Sequence, residues 1–354
     1  MGRGYFLGGA ERPGDSRVEK GLARDGREAH RILYHAIRRR SMINLAFAVL
    51  CSVGIGMVFK HAGRLGLDRT ALLTVNYAAA VGVGALLMSV GGRSVQGGLE
   101  LSLGLVALSI GTGAILIAGF FILAVATDEA GMSLATGVMR VSVVIPFMAS
   151  WWVWDEVPSL AQGAGMGLAA VAFFLIAQKE RRPEPVRERA AVGPGGEEGE
   201  MELSPSTEPV IDWRAFGVLA LTFCSGGAVD LSMKTFEEGF GDTNSRVLFL
   251  MGAFGIAFLI GAVVVAHRAI RYGRWPDQKT VGWGLFLGVI NYGSLEFLLR
   301  AVEVLPGTVV FPANNIAIMV LAAAVGVFFW NEHLSRANRI GIGLAVAALV
   351  LLRL

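Results

Sequence analysis

Residues 154–159 read Trp-Asp-Glu-Val-Pro-Ser, and residues 330–335, 176 positions further on, read Trp-Asn-Glu-His-Leu-Ser. At this offset, ten of the 22 positions from Trp154 to Leu175 are identical in the two segments. Shared apolarity explains the Ala and Leu identities, but it does not explain the matched Trp, Glu and Ser. A weaker match pairs Cys51-Ser52 with Cys224-Ser225. The sequence therefore predicts an internal duplication.

Long apolar segments occupy most of the chain. Only 17% of the 354 residues are charged and 54% are hydrophobic, with a mean hydropathy of +0.59, whereas soluble proteins carry about 25% charged residues. A membrane-spanning helix needs about 20 mainly apolar residues. Segments of this kind lie at 42–60, 71–90, 100–126, 131–154, 159–178, 214–234, 246–267, 280–302, 307–330 and 336–353. We therefore predict an all-α integral membrane protein with about ten transmembrane helices, multi-pass in the cell (inner or plasma) membrane.

Two polar segments set the domain boundaries. Residues 1–41 are a basic polar tail with ten Arg and Lys against five Asp and Glu; one hypothesis is that Met42 is the true start and the tail a gene-model extension. Residues 179–213 hold five of the eleven prolines and are interpreted as a flexible linker. The linker separates a first five-helix repeat, 42–178, from a second, 214–354.

The odd number of helices in each repeat has a geometric consequence. The second repeat must enter the membrane in the opposite sense to the first, which is the inverted-repeat architecture of many secondary transporters, with a substrate site near the membrane midplane. We therefore expect a permease for a small molecule. A membrane-embedded sensor or scaffold of similar fold is the alternative, and it would tolerate Arg140→Leu without loss of function.

Other classes of function lack their residues in this sequence. No Gly-x-x-x-x-Gly-Lys-Ser/Thr loop is present, which excludes a P-loop motor, and no Ser/His/Asp or Cys/His set can be assembled within the apolar segments. The five histidines have no metal-ligand spacing. We expect no enzyme activity, no cofactor, no metal and no nucleic-acid partner, and we leave open whether the Gly-rich fifth and tenth spans pack within a monomer or across a homodimer.

The repeated Trp-x-Glu-x-x-Ser turn, each time followed by a helix of small residues, resembles the drug/metabolite transporter superfamily in its ten-helix EamA-type branch. The resemblance is carried by residues 131–177 and 291–352, which include Pro312-Ala-Asn314-Asn315 and Gly341-Ile-Gly343-Leu-Ala345. It implies proton-coupled or exchange transport of small metabolites or drugs, often as export. It also implies termini inside the cell, whereas the distribution of Arg and Lys over the loops favours an N-terminus outside.

Polar side chains within apolar spans are the candidate site, because they are costly at bilayer depth and usually functional. Arg140 lies near the centre of the fourth span, where it lines a cavity or pairs with a neighbouring helix, and Pro146 interrupts the same span. Glu296 and Arg300 are four residues apart and either bridge along one helix or bring Glu296 to face Arg140 and carry a proton. The candidate substrate-binding residues are Asn76, Tyr77, Arg140, Asn291, Tyr292, Glu296, Arg300, Asn314 and Asn315.

Charged residues at the ends of spans have structural interpretations. Asp230 and Lys234 lie four residues apart, and Lys60 occupies the matching end of the first span. We expect both lysines to extend towards the membrane interface. Glu156 and Glu332 lie in the repeated turns, where we expect them to cap a helix or contact a base in a loop.

Overall fold

The computed structural model describes residues 15–90, 102–130, 132–177, 213–273, 275–330 and 336–352. The predictions for residues 1–14 of the tail, for residues 179–212 of the linker and for the turn around Glu332 lie outside these residues.

α-Helices make up the regular structure of the described residues. The bounds are α1 (Asp15–Arg64), α2 (Arg69–Val90), α3 (Leu103–Ala130), α4 (Met132–Val141), α5 (Val144–Val153), α6 (Leu160–Ala177), α7 (Trp213–Phe240), α8 (Arg246–Tyr272), α9 (Gln278–Val302), α10 (Gly307–Trp330) and α11 (Arg336–Leu351). Helix α1 begins within the predicted tail, because residues 15–40 are rich in Arg, Glu, Lys and Ala, which favour helix; its apolar part begins at Arg38.

The helices have the length and surface of a membrane protein. Among the described residues, seven helical segments are long and apolar enough to cross a membrane, and three apolar stretches, Gly137–Val153, Leu160–Leu175 and Arg339–Leu351, are shorter. Large apolar side chains lie exposed along many of them, including Leu86, Phe174, Phe216, Val263 and Phe328. Soluble monomeric proteins rarely expose an apolar surface of this extent to water. The fold is that of a multi-helix membrane protein.

The predicted fourth span is broken into α4 and α5. Pro146 has no N–H, and its ring excludes a regular helical position for the carbonyl of residue 142, one turn earlier. The chain turns there instead, with bonds from Val143 N–H to the Arg140 carbonyl (3.3 Å) and from Ile145 N–H to the Ser142 carbonyl (2.9 Å). The break leaves Arg140 in the last turn of α4. By contrast, α10 continues through Pro312 as one helix.

Most of the close packing joins the N-terminal half of the chain to the C-terminal half. Helix α6 lies along α11, α2 lies against α8 and α9, α1 lies against α9, and α3 lies against α7 and α8. These contacts come in matched pairs when each helix is replaced by the helix at the same position of the other half. The contact of α1 with α9 then matches that of α7 with α3, and the contact of α2 with α9 matches that of α8 with α3. The fifth and tenth predicted spans thus pack against each other within the chain.

Two of these corresponding contacts are made by glycines. Gly288 of α9 faces the backbone oxygen of Asn76 in α2, and Gly113 of α3 faces that of Ala253 in α8. A Cβ at either glycine would overlap the oxygen. Small residues allow helices in membranes to approach this closely.

Candidate functional site

A cavity of about 170 Å³ lies between helices of the two halves. Helices α1, α3 and α4 line it from the first half, and α7, α9 and α10 from the second. Part of its wall is apolar, including Leu116, Phe120, Leu123, Leu295 and Leu298. The polar lining residues are Ser52, Arg140, Ser142, Ser225, Asp230, Ser294, Asn314 and Asn315.

An amide joins two opposite charges in this cavity. The Arg140 guanidinium donates to Asn315 Oδ1 (3.2 Å), and Asn315 Nδ2 donates to Asp230 Oδ2 (3.3 Å) and to the Phe311 carbonyl (3.1 Å). The charges of Arg140 and Asp230 attract each other across this bridge. The three residues come from α4, α10 and α7, so the arrangement depends on the tertiary fold.

Further polar side chains that line the cavity lie around the bridge. Asn314 is 6% exposed, and its Oδ1 has no hydrogen-bond partner among the described residues. The Ser52 and Ser294 hydroxyls share a hydrogen bond (2.7 Å), and the Ser225 hydroxyl donates to the Thr222 carbonyl (3.1 Å). Ser52 and Ser225 are the two serines of the weaker sequence match.

Local sequence explains how α4 and α7 reach the cavity. Arg140 lies at the carboxyl end of α4, where the helix dipole favours a cation. Gly226 of α7 faces Ser142 and Gly227 faces Ile145, and a Cβ at either position would overlap that neighbour. The missing side chains therefore allow α7 to lie close to the α4–α5 break and present Asp230.

Of the candidate residues, Arg140, Asn314 and Asn315 line the cavity, and the others lie outside its lining. Asn291 Nδ2 donates to Asn76 Oδ1 (3.1 Å), which joins α9 to α2. The Tyr77 hydroxyl donates to the Leu116 carbonyl (3.2 Å). Tyr77 and Tyr292 both pack against the ring of Phe254, with centroids 6.1 Å apart in each case.

Glu296 does not face Arg140. Its Oε1 accepts from Arg300 Nε (2.8 Å) and lies 4.0 Å from Arg246 Nε, while Arg246 also pairs with Glu303 (2.7 Å). The hypothesis of a Glu296–Arg140 pair was wrong, because the α9 face that carries Glu296 is turned towards the start of α8. The alternative of a bridge along one helix matches these contacts.

Lys234 is the centre of a second charged group, which we name the Lys234 cluster: Lys234, Glu156 and Glu238. Lys234 is 1% exposed, and its Nζ contacts Glu156 Oε1 directly and Glu238 Oε1 at 2.5 Å. Glu156 Oε2 accepts from the Thr308 N–H (3.1 Å) in the first turn of α10. Lys234 therefore does not extend to the interface as expected, and the contacts of Glu156 are those of a helix cap with a basic partner.

Sequence reasoning missed several cavity residues, and two kinds of signal were present for them. Asp230 is an ionisable residue well inside an apolar helix, which by itself indicates function. Ser52 and Ser225 stand at matched positions of the duplication. Ser294 carried no signal, because a single serine in an apolar span satisfies its hydroxyl by a bond to its own helix.

The comparisons with known proteins concern the fold. No protein-family model matches the chain. An uncharacterized protein of Haemophilus influenzae is 24% identical over 324 residues, covering 87% of this chain and 96% of that protein. A protein of known crystal structure has a similar fold, with a TM-score of 0.63 at 16% sequence identity, covering 88% of this chain and 95% of that chain. The architecture thus recurs over nearly the whole length of another protein.

Proposed function

We propose that the chain is a secondary transporter of the cell membrane, which moves a small metabolite or drug-like molecule through the cavity by alternating access. In this proposal ten spans form two inverted five-helix repeats, and transport is coupled to an ion or a proton or proceeds by exchange. The observation that carries the proposal is the cavity, which encloses two opposite charges between helices of both halves.

The composition of the cavity wall supports an origin in two related halves. Helices α1, α3 and α4 contain the first, third and fourth predicted spans, and α7, α9 and α10 contain the sixth, eighth and ninth. These are corresponding spans of the two repeats. Transporters of this architecture bind their substrates at the interface of the repeats.

The break between α4 and α5 also favours transport. Discontinuous helices at transporter sites direct their ends and free backbone groups towards the substrate. Here the end of α4 carries Arg140, which lines the cavity, and Ser142 at the break lines it as well.

Access to the cavity tests this function without knowledge of the substrate. In a variant with Cys51→Ser and Cys224→Ser, Ser225→Cys introduces one thiol into the cavity wall. A membrane-impermeant maleimide is then added to right-side-out and to inside-out vesicles. We expect labelling in both, because the cavity opens alternately to each face.

Leu221→Cys in the same background is the matched control. Leu221 is on α7, one turn from Ser225, and is 55% exposed on the outer surface of the helix bundle, where lipid excludes the reagent. Labelling of Ser225→Cys from one face only, or from neither, would contradict alternating access and favour a sensor or scaffold.

A further inference from the structure

The cavity has a cationic side and an anionic side. Arg140 of α4 and Asp230 of α7 both line it. In the described part of the chain no hydrogen bond joins Arg140 to Asp230 directly. The Asn315 amide lies between them and bonds to both. The amide turns its oxygen to the cation and its nitrogen to the anion. A short molecule with a carboxylate at one end and an ammonium group at the other has the same polarity.

A second acceptor belongs to another residue that lines the cavity. Asn314 precedes Asn315 in α10 and lines the same cavity; its amide oxygen has no hydrogen-bond partner in the described part of the chain, and only 6% of the residue is exposed. A buried acceptor without a hydrogen bond is unfavourable. An ammonium group has three N–H donors, enough for the Asp230 carboxylate and, once the Asn314 side chain turns this oxygen into the cavity, for the amide oxygen as well.

The two charges also select against other solutes. An anion that approaches Arg140 meets the Asp230 carboxylate, and a cation that approaches Asp230 meets the guanidinium of Arg140. Repulsion of this kind is a general way to reject the wrong ligand. A neutral solute gains only hydrogen bonds and leaves both charges facing each other across the amide.

We propose that the cavity binds a small zwitterion, with its carboxylate at Arg140 and its ammonium group at Asp230 and Asn314; this identification rests on the proposed transport function. The volume of about 170 Å³ is below the roughly 300–1,000 Å³ of sites for drug-sized ligands. The leucine and phenylalanine side chains of the wall provide a place for a small apolar substituent. An amino acid with an aliphatic side chain has this chemistry.

Thermal unfolding of the purified full-length protein in detergent, with a matched series of probes, tests the proposal. L-Alanine, L-leucine and L-phenylalanine are zwitterions of increasing size, leucinamide keeps only the positive charge, and N-acetylleucine keeps only the negative charge. We expect at least one zwitterion to raise the melting temperature by about 3 °C or more when saturating. Both single-charge analogues should require at least about tenfold higher concentration.

Charge variants give a readout that a structural role would not produce. Asp230→Asn removes the repulsion of anions, so N-acetylleucine should bind as well as leucine or better. Arg140→Gln should shift the preference towards leucinamide in the same way. Arg271→Gln is the control, because Arg271 lies exposed at the end of α8 and its replacement should leave the order of the probes unchanged.

The possible outcomes separate this proposal from the transport function. If N-acetylleucine or leucinamide matches leucine on the unmodified protein, or if none of the three zwitterions binds, the zwitterion site is refuted. In either case, labelling of Ser225→Cys from both faces would leave the transport function standing. Variants that fail to fold do not remove the test, because the probe series on the unmodified protein decides it.

Discussion

The cavity and the Lys234 cluster both place a cation near carboxylates, but they are built differently. Lys234 is 1% exposed and contacts Glu156 and Glu238 directly, and Glu156 also caps α10. Arg140 meets Asp230 only through the Asn315 amide, at the edge of an open volume. Direct pairing with further hydrogen bonds is what a buried structural ion pair requires. The difference indicates that the cluster holds helix ends together, whereas in our proposal the charges of the cavity remain available to a ligand.

The largest effect that tests this comparison is on stability. Lys234→Met leaves two carboxylates without their cation, and removal of one partner of a buried pair costs about 3 kcal/mol or more. Arg140→Met removes a hydrogen bond to an amide, which we expect to lower the free energy of unfolding by about 1.5 kcal/mol. The free energy of unfolding of both variants is measured by titrating a denaturing detergent into the protein in a mild detergent.

Glu238→Gln is a control for this pair of variants, because Glu238 is 40% exposed and the change keeps its size. Glu238→Gln should lower the free energy of unfolding much less than Lys234→Met does. If Arg140→Met proved as destabilising as Lys234→Met, the cavity charges would be structural and the contrast would fail.

A smaller effect concerns the glycine contacts between the halves. Gly288→Ala and Gly113→Ala place a methyl group on a backbone oxygen of α2 or α8, and overpacking of this kind costs about 2 kcal/mol. Gly282→Ala in α9 and Gly111→Ala in α3 are the matched controls, because a Cβ there meets nothing within 4 Å. Similar melting temperatures for all four variants would show that the halves are not packed as described.

The smallest effect belongs to the Asn76–Asn291 hydrogen bond. Polar pairs between membrane helices contribute about 0.6 kcal/mol on average, so a double-mutant cycle with Asn76→Ala and Asn291→Ala should give a coupling energy of this size. The two residues lie outside the cavity lining, so neither variant should alter the preference among the leucine probes. A change in that preference would place this pair in the binding site.

The sequence was sufficient for most of the helices and for part of the cavity, but it did not show the break between α4 and α5 or the start of α1 within the tail. Long apolar runs locate spans well, because lipid requires every backbone group to be bonded within a helix. Arg140, Asn314 and Asn315 were found because polar side chains in such runs are costly.

The remaining features depended on contacts between distant segments. Asp230 and Lys234 are four residues apart and share one face of α7, yet Asp230 contacts Asn315 of α10 and Lys234 contacts Glu156, which follows α5. The spacing of Glu296 and Arg300 predicted their ion pair along α9 as one of two alternatives. It did not predict the third member of the group, Arg246, which approaches Glu296 from α8. Helical period specifies neighbours on one helix, whereas partners on other helices are set by the tertiary fold.

The central claim, that the two halves enter the membrane in opposite senses around a shared cavity, is tested most directly by two equivalent loops. Leu65 follows α1 and Asp242 follows α7, and both are exposed. Each is replaced by Cys in the background that lacks Cys51 and Cys224, and an impermeant maleimide is applied to sealed vesicles of known orientation. The account predicts that Leu65→Cys reacts from one face and Asp242→Cys from the other. Reaction of both from the same face would contradict it.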